Sequence, residues 1–140
     1  MAFCWLASRV LLTLHMRNTA KKILIADEND ACRESLGVSI RSLGYEVVEA
    51  ATGPEAIEKA SSLHPNLIMM DLRLPGMNGD EATARLKKNL STRNIPVVIS
   101  TACNVGDRVD RALEAGAEEI LYKPLQIPML RNVLRTYLLA

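Results

Sequence analysis

Ile23-Leu24-Ile25-Ala26-Asp27-Glu28 is the stretch on which the reading of the whole chain turns. Four apolar residues in unbroken succession offer no polar face to water, the pattern of a strand buried on both sides of a parallel sheet, and the run stops abruptly at two carboxylates. The same design returns at Leu67-Ile68-Met69-Met70-Asp71, at Pro96-Val97-Val98-Ile99-Ser100-Thr101 and, shortened, at Ile120-Leu121-Tyr122-Lys123. Tyr45 to Val48 supplies one more strand, and helix-period segments lie between the strands. That alternation predicts an α/β domain whose parallel sheet is joined by crossover helices.

The connecting segments carry helix punctuation. Asn29 or Asp30 can cap a first helix with Cys32, Leu36, Ile40 and Leu43 on one stripe, and Gly44 stands where a left-handed stop belongs. Gly53-Pro54 opens a second helix that turns Ala56, Ile57, Ala60 and Leu63 inward and ends before Pro65. The turn-rich Leu74-Pro75-Gly76-Met77-Asn78-Gly79 precedes a third helix starting at Asp80 or Glu81 and carrying Ala82, Leu86 and Leu90. A fourth runs through Val109, Ala112 and Leu113 to Gly116, and Met129, Leu130, Val133, Leu134, Tyr137 and Leu138 mark the last.

With 140 residues the chain fits one domain, and 49% hydrophobic against 24% charged residues is the balance of a folded protein rather than a disordered one. Seventeen Lys and Arg against sixteen Asp and Glu leave a formal charge of +1, so no global field draws nucleic acid or anionic lipid, and neither direct nucleic-acid binding nor membrane association is expected. Cys4, Cys32 and Cys103 are odd in number and far apart, and His15 and His64 are isolated, which supports neither a disulfide framework nor a zinc site and points to a reducing cytoplasm. The apolar run over residues 3–14 contains Arg9 and falls short of the roughly 20 residues that cross a bilayer. Residues 1–20 read as an extension outside the domain, with Met16 as an alternative start; the rival reading is a short amphipathic anchor or docking helix using Trp5, Leu6, Leu11 and Leu12.

In an open parallel sheet the carboxyl ends of the strands line one edge, and ligands bind there where the strand order reverses. This chain sends Asp27, Glu28, Asp71, the Ser100-Thr101 hydroxyls and Lys123 to that edge. Crowded carboxylates repel unless a cation compensates them, and oxygen-only ligation suits Mg²⁺. A phosphoryl group on the same metal would turn further oxygens toward Lys123 and Thr101, leaving Asp71 as the best-placed carboxylate nucleophile. Each residue alone has an ordinary explanation: a carboxylate after a strand starts a loop, Lys-Pro makes a turn, a Thr caps a helix. Four strand ends with four complementary chemistries make the functional reading the stronger one.

Taken together, Ile23 to Asn29, Pro65 to Asp71 with Leu74 to Gly79, Ile95 to Ala102, and Gly116-Ala117 through Lys123-Pro124 resemble the receiver domain of bacterial two-component response regulators, over residues 21–140. The resemblance implies a doubly wound, five-stranded, flavodoxin-like sheet of the stand-alone, chemotaxis-regulator type. It implies a phosphoryl group passed to Asp71 from the phosphohistidine of a sensor histidine kinase or histidine phosphotransfer protein. Glu28 and Asp71 would hold Mg²⁺, with Asp27 acting through water and the backbone carbonyl of Arg73 completing the ligands, while Thr101 and Lys123 meet the phosphoryl oxygens. A cis Lys123-Pro124 bond is implied, as is a bistable surface of the fourth helix, fifth strand and fifth helix, read by a downstream protein target. Three residues before the lysine, where the family usually has Tyr or Phe, this chain has Ile120, with Tyr122 nearer the lysine. Arg73 and Cys103 occupy positions that in this family influence phosphate lifetime.

Three functions compete: a single-domain phosphoacceptor switch acting through protein contacts, a receiver-like interaction module that takes no phosphate, and a small phosphatase with an aspartyl nucleophile. The last needs a second acid two residues after the nucleophile, where this chain has Arg73, so an enzyme turning over external substrate is not expected.

Overall fold

The computed structural model describes residues 20–102 and 106–139. The readings of residues 1–19 and of Cys103 fall outside them. Strands β1 (Lys22–Ala26), β2 (Glu46–Ala50), β3 (Leu67–Met70), β4 (Val97–Thr101) and β5 (Glu119–Tyr122) form one sheet in the order β2-β1-β3-β4-β5. Every pairing is parallel, with Ala26 opposite Ala50 on one side and Met70 on the other. Helices α1 (Asp30–Ser42), α2 (Gly53–Leu63), α3 (Gly79–Lys88), α4 (Asp107–Glu114) and α5 (Ile127–Leu138) make the crossovers. This is the doubly wound, flavodoxin-like α/β fold.

The continuous apolar strands follow from burial on two sides. Side chains alternate across a strand, so Leu24, Ile68, Met70, Val97 and Ile99 pack with residues of α2, α3 and α4, while Ile23, Ile25, Leu67, Met69 and Val98 pack with residues of α1 and α5. Each fully buried aliphatic side chain contributes about 1.5–3 kcal/mol relative to exposure.

Helix ends follow local chemistry. The Asn29 side chain accepts from Cys32 N–H at 2.9 Å and caps α1, and Gly44 beyond its end has φ +96°, a conformation that favours glycine. Thr52 caps α2 through Glu55 N–H at 3.1 Å, and the Glu55 carboxylate reaches back to Ala51 N–H. The α2 exit is His64 itself in the left-handed region, at φ 45°, just ahead of Pro65.

Several inward assignments need correction. Burial along the α1 stripe rises from exposed Cys32 through half-buried Leu36 to buried Ile40, so the first turn of the helix borders a groove rather than the sheet. Helix α3 begins at Gly79, earlier than Asp80, and stops at Lys88, which leaves Leu90 77% exposed. Leu63, the last residue of α2, is exposed too. Leu113 and Met129 each lie about 100° around their helix from a buried neighbour, Ala112 and Leu130, and face outward. Strand β2 runs Glu46–Ala50 rather than from Tyr45.

Candidate functional site

The strand order reverses between β1 and β3, which lie side by side though separated in sequence by β2. Asp71 N–H donates to Ala26 O at 2.9 Å and Asp27 N–H donates to Ala50 O at 3.1 Å, so the ladder continues one residue past each strand and brings the two aspartates together at the carboxyl edge. Both are buried.

Lys123 reaches the same point from β5. Its N–H donates to Thr101 O at 2.8 Å, which fastens the end of β5 to the end of β4, and the Lys123–Pro124 bond that follows is cis. The Nζ donates to Asp27 Oδ2 at 2.5 Å and to Asp71 Oδ2 at 2.8 Å. The other oxygens are held by the chain's own turns: Asp27 Oδ1 accepts from Asn29 N–H at 2.9 Å and Asp71 Oδ1 from Arg73 N–H at 3.1 Å. Burial works against the charged ammonium, but its hydrogen bonds to Asp27 and Asp71 and their charges outweigh burial and hold Lys123 above its ordinary pKa. Thr101 is buried at the end of β4, and Ser100 beside it is buried with an Oγ that has no hydrogen-bond partner among the described residues.

Asp27, Asp71, Thr101 and Lys123 thus share one corner. Glu28 is different: its side chain is exposed on the same loop, and among the described residues no three His, Cys, Asp or Glu side chains gather closely enough to form a metal cluster. The donor chemistry nevertheless suits Mg²⁺, because two buried carboxylates face a single ammonium and leave one negative charge uncompensated. Glu28 and the Arg73 carbonyl could supply further oxygens of the hard type this ion takes, with water filling the remaining positions.

The loop after Asp71 is fixed by close packing. A Cβ at Gly79 would collide with the carbonyl oxygen of Asp71 and press on Leu72 Cα, and one at Gly53 would meet the backbone of Met77 at 2.5 Å. The turn composition of Leu74 to Gly79 announced a loop, but only the packing shows that Gly79 rests directly on the Asp71 backbone.

Arg33 is a feature that the sequence reading missed. Its Nη1 donates to Asp27 O at 2.8 Å, its Nη2 to Asp30 Oδ1 at 2.7 Å, and its Nε lies 3.4 Å from Glu49 Oε1 on β2. The spacing of Asp30 and Arg33 signals a pair on one helix face, whereas the reach to Asp27 O and Glu49 depends on how α1 is seated. A groove of about 520 Å³ opens beside Lys123, between Cys32, Ser35 and Leu36 of α1 and Ala102, Pro124 and Leu125.

Residues 23–135 match the family described as the response regulator receiver domain. The polar-differentiation response regulator DivK of Brucella ovis is 32% identical over 118 residues, covering 84% of this chain and 96% of that protein. Among solved structures, the chemotaxis protein CheY4 of Vibrio cholerae is similar with a TM-score of 0.79 and 26% identity, covering 86% of this chain and 100% of that one. The receiver domain of the sensor histidine kinase PA1611 from Pseudomonas aeruginosa PAO1, solved with a magnesium ion coordinated in its active-site cleft, gives a TM-score of 0.80 at 30% identity, covering 87% of this chain and 100% of that one. With the sheet order, the paired aspartates and a family match spanning all five strands, the chain belongs to the response regulator receiver domain family of two-component signalling proteins.

Proposed function

We propose that this chain is a single-domain response regulator that accepts a phosphoryl group on Asp71 from the phosphohistidine of a sensor histidine kinase or histidine phosphotransfer protein, with Mg²⁺, and signals through contacts with a downstream protein in the cytoplasm. The observation that carries the reading is the bridge from Lys123 Nζ to both Asp27 and Asp71, which sets a fixed cation beside a buried carboxylate that has few other partners. Asp71 Oδ2 attacks phosphorus, the new O–P bond forms as the N–P bond to the donor imidazole breaks, and the imidazole leaves with the electron pair. Lys123 shifts from the carboxylate to the incoming phosphoryl oxygens, and Thr101 offers its hydroxyl from the adjoining strand end. Glu28, Asp71 and the Arg73 carbonyl would hold Mg²⁺, with Asp27 acting through water, and the bound ion would neutralise charge on the transferring group.

The groove beside Lys123 offers a surface next to Asp27 and Lys123 for a partner protein to lie against. Residues 21–140 constitute the receiver and residues 1–20 an extension to it. No helix among the described residues is long and apolar enough to cross a membrane.

Incubation with acetyl phosphate and Mg²⁺ tests the reading. One added phosphoryl mass, abolished in Asp71→Asn, is the expected result. No adduct in the wild type would point to an interaction module, and steady release of phosphate over many turnovers would point to an enzyme.

A further inference from the structure

We infer that Arg33 is the positioning residue of the acidic loop, fixing the backbone of Asp27 and Glu28 so that the Glu28 carboxylate meets the divalent cation; this rests on the metal-binding reading above. The side chain of Arg33 is 16% exposed, and its guanidinium spends its donors on three separate elements: the Asp27 carbonyl at the end of β1, Asp30 at the start of α1 and Glu49 of β2. Only a planar fork can serve acceptors spread in this way. The loop is thereby held at both ends. Asp27 is held through N–H by Ala50 O, through C=O by Arg33 and through its carboxylate by Asn29 N–H and Lys123, while Asp30 is held by Arg33.

Glu28 sits between these two anchored residues and is itself exposed. Its carboxylate can favour one direction only if the flanking backbone does not move, and the Arg33 bond to Asp27 O sets the peptide plane that joins Asp27 to Glu28. A ligand oriented through a supporting hydrogen bond loses affinity when that bond is removed, typically by 10–100-fold.

Charge alone predicts the opposite sign. Arg33 is a cation near an acidic site, so deleting it should strengthen Mg²⁺ binding if the residue acted only through its field. Positioning predicts weaker binding, and the two explanations separate on direction.

The experiment titrates Mg²⁺ into wild type, Arg33→Ala and Arg33→Lys by calorimetry, and follows amide hydrogen exchange without metal. We expect Arg33→Ala to raise the Mg²⁺ dissociation constant roughly tenfold, and Arg33→Lys, which keeps the charge without the fork, by at least about threefold. Exchange at Asn29 N–H should accelerate in both variants before any metal is added. Saturating Mg²⁺ should restore phosphoryl uptake in both. Unchanged or tighter Mg²⁺ binding in either folded variant overturns the role of Arg33, and should the alanine variant fail to fold, the lysine variant decides. Absence of Mg²⁺ binding in the wild type instead overturns the metal reading itself, while the exchange data still report whether Arg33 holds the loop.

Discussion

The N–H of Lys123 donates to the carbonyl of Thr101 across 2.8 Å, so the residues proposed to meet the phosphoryl oxygens are fastened together by the last rung between β4 and β5. Neither backbone can be displaced far without disturbing the other's strand end. The corner is therefore a product of sheet geometry, with its charges delivered by backbone ladders rather than by mobile loops.

Removing the ammonium should expose the charge imbalance at that corner. Lys123→Ala leaves Asp27 and Asp71 buried together without their shared cation, and breaking a buried pair in this way costs about 3–5 kcal/mol at the upper end. The variant is expected to retain the fold, melt at a lower temperature without metal, and recover part of the difference on addition of Mg²⁺. Its signalling should also weaken. A melting temperature equal to wild type, or partner binding after phosphorylation that matches wild type, would count against the role given to Lys123.

Gly79→Ala drives a methyl group into the Asp71 carbonyl, and backbone cannot yield as a side-chain tip does. Overpacking of this kind costs about 1–3 kcal/mol. Because the displaced atom belongs to the proposed acceptor residue, phosphoryl uptake should fall more than stability does. Denaturant melts paired with uptake rates measure both, and a variant with normal uptake would show that the loop can shift without moving Asp71.

Alkaline pH should weaken the fold in a defined window. Burial, reinforced by the hydrogen bond from Tyr137 to Glu119 at 2.9 Å, pushes the phenol up to about 12, and Lys123 is likewise raised. A raised pKa means that the folded state holds its proton after the unfolded chain, whose groups titrate near 10, has released it. The stabilisation is complete below about pH 10 and is lost as pH climbs through the folded values. Tyr137→Phe should be less stable by about 1 kcal/mol at neutral pH, with the gap to wild type closing toward pH 12. Parallel stability curves for the two proteins would contradict this assignment.

The α2 cap gives a prediction remote from the site. Thr52→Ala removes the acceptor for Glu55 N–H and should cost about 1 kcal/mol while leaving Mg²⁺ binding unaltered. Chemical denaturation and a metal titration on the same sample check both halves.

The sheet and its order of elements were legible because burial on two sides leaves a mark in sequence: Ile23 to Ala26 and Leu67 to Met70 contain no polar residue at all, and each ends at the aspartate that the ladder then places. Helix faces were legible less well. Leu63, Leu90, Leu113 and Met129 are apolar and exposed, since hydrophobicity alone does not distinguish a residue on the stripe from one beside it. Arg33 escaped notice for another reason. A guanidinium three residues from an aspartate looks like an ordinary surface pair, and its bond to Asp27 O exists only once α1 has docked against β1 and β2.

The most direct test is to find where the phosphoryl group goes. Protein treated with acetyl phosphate and Mg²⁺, reduced with borohydride to convert an acyl phosphate to the corresponding alcohol, and mapped by peptide mass spectrometry should show homoserine at position 71 and unmodified acids at Asp27 and Glu28. Modification at either of those residues, or an equal yield of adduct in Asp71→Asn, would contradict the account.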